Sequence, residues 1–186
     1  MIELTRRNCM ATLGAFCLAL ATTNVYAQMG APAAGEKPLS PPAQAAVMLK
    51  GKTITIDYSA PSMRGRPIAG ALVPYNKVWR TGANAATTLK TPIALKIGTL
   101  AVPAGTYTIY TLPSENGAKL IINKQTGQWG TEYDETKDLG RVDMTPVTLP
   151  DPVETFVIKF DNVEKDATEL HLIWEKTDLS IPITTE

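Results

Sequence analysis

Chemically capable side chains are sparse in this sequence, and their spacing decides much. The chain has one histidine, His171, in the run TELHLIWE, where it shares a strand face with Glu169 and Glu175 opposite Leu170, Leu172 and Trp174. An imidazole flanked by carboxylates can serve as a general base or as a metal ligand. A metal centre needs further ligands, and with no second histidine the pattern favours an exposed strand histidine between two acids. Any Ser-His-Asp triad would have to use the same residue, and no GxSxG elbow accompanies it. Glu132, Asp134, Glu135 and Asp138 are hard oxygen ligands of the kind calcium takes, but they lack the spaced Asp/Asn and central glycine of a calcium loop. A solvated acidic loop facing Arg64 and Arg66 is the reading the pattern favours. No metal or other cofactor is expected.

The segment VWRT offers more. If it is extended, Val78 and Arg80 point one way while Lys77, Trp79 and Thr81 point the other, so one face must hide an awkward residue. A partly buried guanidinium needs a carboxylate or carbonyls. Asp57, in a neighbouring predicted strand, is the first candidate, and the backbone of the following TGAN turn is a purely structural alternative. The functional alternative makes Arg80 and Asn84 a polar pocket for an anion or sugar, with Trp79 and Trp129 as stacking surfaces and Arg64 and Arg66 as fixed cations. Trp174 alternates with leucines and reads as core.

These residues need elements to hold them, and the dominant period is two. TITIDY sets Ile54, Ile56 and Tyr58 against Thr53, Thr55 and Asp57, and GTYTIYT, ETFVIKF and ELHLIWE alternate likewise. Asn116 and Gly117 supply the positive-φ pair of a tight hairpin turn, and Pro103 to Gly105 and Asp161 to Asp166 mark two more turns. No sustained helical period appears. Two segments break the meander, Ser59 to Asn76 (Pro/Gly-rich, with Arg64 and Arg66) and Asn123 to Asp138 (with Trp129 and Tyr133). Long connections in compact domains are disproportionately functional, so these two loops, packed together at one end, are where a site is expected.

Composition bounds the function. The 186 residues carry 18 Lys+Arg against 18 Asp+Glu, so the basic footprint of a nucleic-acid binder is missing. Residues 1–27 combine Arg6 and Arg7, an apolar run from Met10 to Ala21 and the small-residue exit at Ala27, the layout of a cleaved export signal and too short a run to span a bilayer. Arg6 and Arg7 only loosely match a twin-arginine signal, and bulky Phe16 before Cys17 argues against lipid attachment. Cys9 and Cys17 are the only cysteines and both fall in this segment, so the exported form is expected to be disulfide-free, periplasmic or secreted. Residues 28–47, rich in Ala, Pro and Gly, are expected to be a flexible tether, with the domain over 48–186.

From KVWRTGAN outward the chain resembles a known family. IDYSAPSMRGRPIAGALVPYNKVWRTGAN, PAGTYTIYTLP, INKQTGQWG with YDETKD, and the final LIWEK are similar, in the same order from about Ala45 to Ile183, to the bacterial "domain of unknown function 2911". Ala60 departs from it, standing where that family commonly has arginine. The resemblance implies an exported all-β domain of the bacterial envelope and brings no activity, cofactor or catalytic residue.

The expectation is a single, antiparallel, all-β sandwich, of jelly-roll or immunoglobulin-like type, behind a signal and a tether. Three functions compete. A non-catalytic binder predicts Trp and Arg lining one cleft. A hydrolase or isomerase predicts two carboxylates, or Asp with Lys, in the long-loop cleft. A structural envelope module predicts an apolar patch or an open sheet edge. The partner expected is a polar small molecule or glycan.

Overall fold

The computed structural model describes residues 38–186, so the export signal and residues 28–37 of the tether lie outside it. The described chain is all-β and antiparallel. Its strands are β1 (Pro42–Leu49), β2 (Lys52–Ser59), β3 (Thr88–Thr91), β4 (Leu95–Ile97), β5 (Leu100–Val102), β6 (Gly105–Ser114), β7 (Gly117–Asn123), β8 (Asp138–Asp161) and β9 (Ala167–Thr185). The single helical element among them is a 3₁₀ turn at Glu135–Lys137, capped by the Asp134 side chain on the Thr136 N–H.

The strands form one nine-stranded sheet in the order β1-β2-β3-β6-β7-β8-β9-β4-β5. β8, 24 residues long, joins its two halves: its first part pairs with β7 and its remainder with β9, which is 19 residues long and pairs in turn with β4. Alternation cannot reveal such lengths, since the strands turn corners. The β8–β9 register shifts between Thr148 and Val153 and again before Val157, and Glu175 opposite has φ 53. β9 thereby folds back on itself, with the Thr185 N–H reaching the Asp166 carbonyl at 2.8 Å. Beyond β2, the chain bridges β8 at Ser62–Thr155, which brings the first long loop against the folded region.

Burial follows the period-two reading. Ile54 and Ile56 of β2, Phe156 and Ile158 of β8, and Leu170, Leu172 and Trp174 of β9 all enter one apolar core, each worth about 1.5–3 kcal/mol in removed apolar surface. Two local expectations are corrected. The tether ends earlier than residue 47: Ala45, Val47 and Leu49 are buried in β1, which pairs with β2 from Pro42 onward. Alanines read as spacer in isolation, yet Ala45 stands opposite Ile56 and Val47 opposite Ile54, both on the buried face. The β6–β7 turn is shifted by one residue, with Glu115 and Asn116 at its tip and Ser114 paired to Gly117, the only one of the four with positive φ (143). Glycine thus closes the turn at its last position instead of sitting at its centre.

Candidate functional site

The conflict in VWRT resolves with Trp79 inward. Trp79 makes a backbone bridge to Thr111 of β6 (N–H to carbonyl 2.8 Å, with the return bond at 2.9 Å), which aims its indole at Phe156 (centroids 5.1 Å, edge-on) and Trp174 (5.6 Å, stacked). Arg80 therefore points away from the core. After it the chain turns sharply through Thr81 (φ 53), Gly82 (φ 150) and Asn84 (φ 59). The turn is pinned: the Thr87 hydroxyl donates to the Thr81 carbonyl at 2.8 Å, and the Ala83 N–H to the Ser59 carbonyl at 3.2 Å.

The second long loop zips onto this turn. Ala85 bridges Trp129, the Gly130 N–H donates to the Asn84 carbonyl at 3.0 Å, and the Ala86 N–H donates to the Gln128 carbonyl at 3.3 Å. Gly130 lies flat under Arg80, where a β-carbon would come within 2.6 Å of Arg80 Cδ and 2.8 Å of the Asn84 carbonyl oxygen. Only glycine allows that approach. The second loop is thus joined to the TGAN turn, and it meets the first, Ser59–Asn76, only across a cleft.

Between them lies a cleft of about 370 Å³ lined by Arg66, Trp79, Arg80, Tyr110, Tyr133 and Trp174 among others, a volume in the usual range for small-molecule sites. The lining holds two cations and no carboxylate. Arg66 spends Nε on the Met63 carbonyl and an Nη on that of Ser62, both at 2.9 Å. Arg80 makes one long bond, Nε to the Gly82 carbonyl at 3.3 Å, and among the described residues nothing accepts from its two Nη groups. The structural lock on the TGAN turn is thus real but weak, and the outer fork of a half-buried guanidinium is left over.

The other expected site residues are dispersed. Asp57 does not meet Arg80; it accepts from Gln44 at 2.6 Å and Lys90 at 2.8 Å, because β1 and β3 flank β2 and put those side chains beside it. Arg64 lies outside the cleft lining, its backbone N–H donating to the Glu154 carboxylate at 2.8 Å and its Nη2 to the Leu39 carbonyl at 2.9 Å. Asn84 contributes its backbone, while its side chain donates to Ser40 at 3.4 Å. Trp129 is 52% exposed and lies beside the cleft, outside its lining. The acidic loop faces neither Arg64 nor Arg66. Its cation is Arg141, within 2.6 Å of Glu135 and 2.8 Å of Asp138. Tyr133, the aromatic side chain expected in the second loop, packs edge-on at 4.8 Å against Tyr110, which sequence reasoning missed because it alternates like a core residue.

His171 is not exposed. The fold-back of β9 covers it, leaving its side chain 13% accessible with Nδ1 2.9 Å from Asp178 and Nε2 3.6 Å from Glu169. Glu175, past the corner, leaves the shared face and accepts from the Ala69 N–H at 3.2 Å.

Several ionisable groups are tuned by this packing. Gln44 and then Lys90 hold Asp57 below the ordinary carboxylate value of 3.8. Lys159 does the same for Asp161, and the Ser180 hydroxyl followed by Asn162 holds Glu169 below 4.5, both against opposing burial. A folded-state value below the unfolded one stabilises the protein above the unfolded value, and that stability is lost as pH falls through the folded value. Burial raises Tyr110 and, with help from Asp138, Tyr133 above 10.0. Their contribution is complete below pH 10 and lost above it. Thermal midpoints should therefore fall below about pH 4.5 and again above about pH 10, the second decline shrinking in Tyr133→Phe.

A family model described as "Protein of unknown function (DUF2911)" matches residues 40–183. Among curated proteins and among solved structures, nothing matches the chain.

Proposed function

Because the chain belongs to this family, whose description assigns it no activity, we propose a function from the cleft itself: a non-catalytic module that binds a small carboxylate- or phosphate-bearing ligand between the two long loops. The observation that carries the reading is Arg80, a half-buried cation whose outer fork faces a cleft with no carboxylate in its lining. Removing one charge of a buried pair costs several kcal/mol because the other is left uncompensated, and a guanidinium fork matches two oxygens of an anion. Trp79 and Trp174 supply the apolar wall against which the rest of the ligand packs. The hydrolase or isomerase reading called for two carboxylates, or Asp with Lys, in this cleft, and its lining carries neither pair.

Residues 1–27 are read as an export signal, so the cleft would face the periplasm or the cell exterior; a mature mass beginning at Gln28 tests that placement. Calorimetric titration with inorganic phosphate and citrate tests the binding. Saturable binding that weakens about 10- to 100-fold in Arg80→Gln, with the thermal midpoint largely retained, supports the proposal. Arg80→Lys should recover only part of the loss, because an ammonium cannot present the fork. Binding equal in all three proteins would overturn it.

A further inference from the structure

The aromatic wall has a second side. Across Trp79 and Trp174 from the arginine cleft lies another of about 390 Å³. Its floor is Trp79, Phe156, Leu172 and Trp174, and its rims are the Ile68–Tyr75 loop, the β6–β7 turn and the corner of β8 and β9. The Tyr75 ring leans over Gly70 so closely that a β-carbon there would come within 2.8 Å of Cε2. Val147, 52% exposed, forms an apolar lip.

The charge of this cleft is the reverse of its neighbour's. Its lining contains no lysine, arginine or histidine, but holds two carboxylates, Glu115 at the β6–β7 turn and Glu175 at the β9 corner. Glu175 is fixed in place by φ 53 and by its bond from the Ala69 N–H. Aromatic rings attract cations through their negative faces, and carboxylates on a low-dielectric rim add to that attraction. An apolar floor rewards a ligand with an apolar body.

We propose that this cleft is a second binding site, for an organic ammonium compound whose apolar body lies on the Trp79–Trp174 floor and whose charged nitrogen meets Glu175 and Glu115. The site is independent of the arginine cleft and of the function proposed for it.

Isothermal titration of the full chain with 2-phenylethylamine, with 2-phenylethanol as its neutral counterpart and 3-phenylpropionate as its anionic one, tests this. The amine should bind saturably, the alcohol about tenfold more weakly and the acid more weakly still. The double variant Glu115→Gln with Glu175→Gln should lose about tenfold in amine affinity. Val147→Lys, a change at an exposed position, should lose as much without touching the fold, while Arg80→Gln should leave amine binding unchanged. No saturable amine binding, equal binding of amine and alcohol, or amine affinity unchanged in both carboxamide and lysine variants would overturn the proposal.

Discussion

Phe156→Ala should destabilise the protein by about 3–5 kcal/mol, the largest loss expected from any single side chain around the clefts. Phe156 is 2% exposed and is enclosed by three aromatic rings: Tyr58 at 5.8 Å, Trp79 at 5.1 Å and Trp174 at 5.8 Å. Truncation removes its transfer free energy and its edge-to-face contacts, and it leaves a cavity bounded by rigid rings that cannot close over it. The β8 backbone at this point is also held, through the Phe156 N–H to the Pro61 carbonyl at 2.8 Å, so the strand cannot slide inward to compensate. The thermal midpoint should drop by roughly 6–20 °C, with the denaturant slope unchanged. Because Trp79 and Trp174 lean on this ring, ligand binding on both sides of the wall should weaken as well. A loss under about 1 kcal/mol would mean that the wall is not a packed unit.

Gly130→Ala should be the most damaging change in the loops. Its new methyl would press on Arg80 Cδ at 2.6 Å, which can swing aside, and on the Asn84 carbonyl oxygen at 2.8 Å, which is backbone and already holds the Gly130 N–H. Overpacking of this kind costs about 1–3 kcal/mol. It must also part the second loop from the TGAN turn or displace Arg80, so anion affinity should fall along with stability. Thr126→Ala, in the same loop but exposed and outside the cleft lining, should do neither. A Gly130→Ala protein with native stability and native anion affinity would show that the second loop is not held at this contact.

The strands were legible where one face was buried and the other solvated. TITIDY, ETFVIKF and ELHLIWE are such strands, and each lies within the element expected. What escaped depends on long-range folding. The corner at Glu175 breaks the alternation of β9 and brings Asp178 onto His171, seven residues away, so a histidine that local pattern places in water becomes covered. The first part of β1 reads as tether because alanines carry little hydrophobic signal until a partner strand is beside them.

The candidate site was half legible for a similar reason. The opposed demands of Trp79 and Arg80 mark them from sequence alone; the structure holds Trp79 by an isolated bridge to Thr111 instead of in a strand, and both residues line the cleft. Asp57 was assigned to Arg80 because its closer partners, Gln44 and Lys90, become neighbours only once the strand order is known. Gly130 gave no sign of its place under Arg80, and the carboxylate-rimmed cleft behind the tryptophans draws on four separate stretches of chain.

On the binding proposal, the outer fork of Arg80 is kept for an anion. Guanidinium ¹⁵N–¹H spectra recorded while inorganic phosphate is added at constant ionic strength test it directly. A saturable shift of the Arg80 resonances is expected, with Arg141, committed to Asp138 and Glu135, and Arg64, whose Nη2 donates to the Leu39 carbonyl, unmoved. No saturable shift at Arg80, or the same linear drift at every arginine, would contradict it.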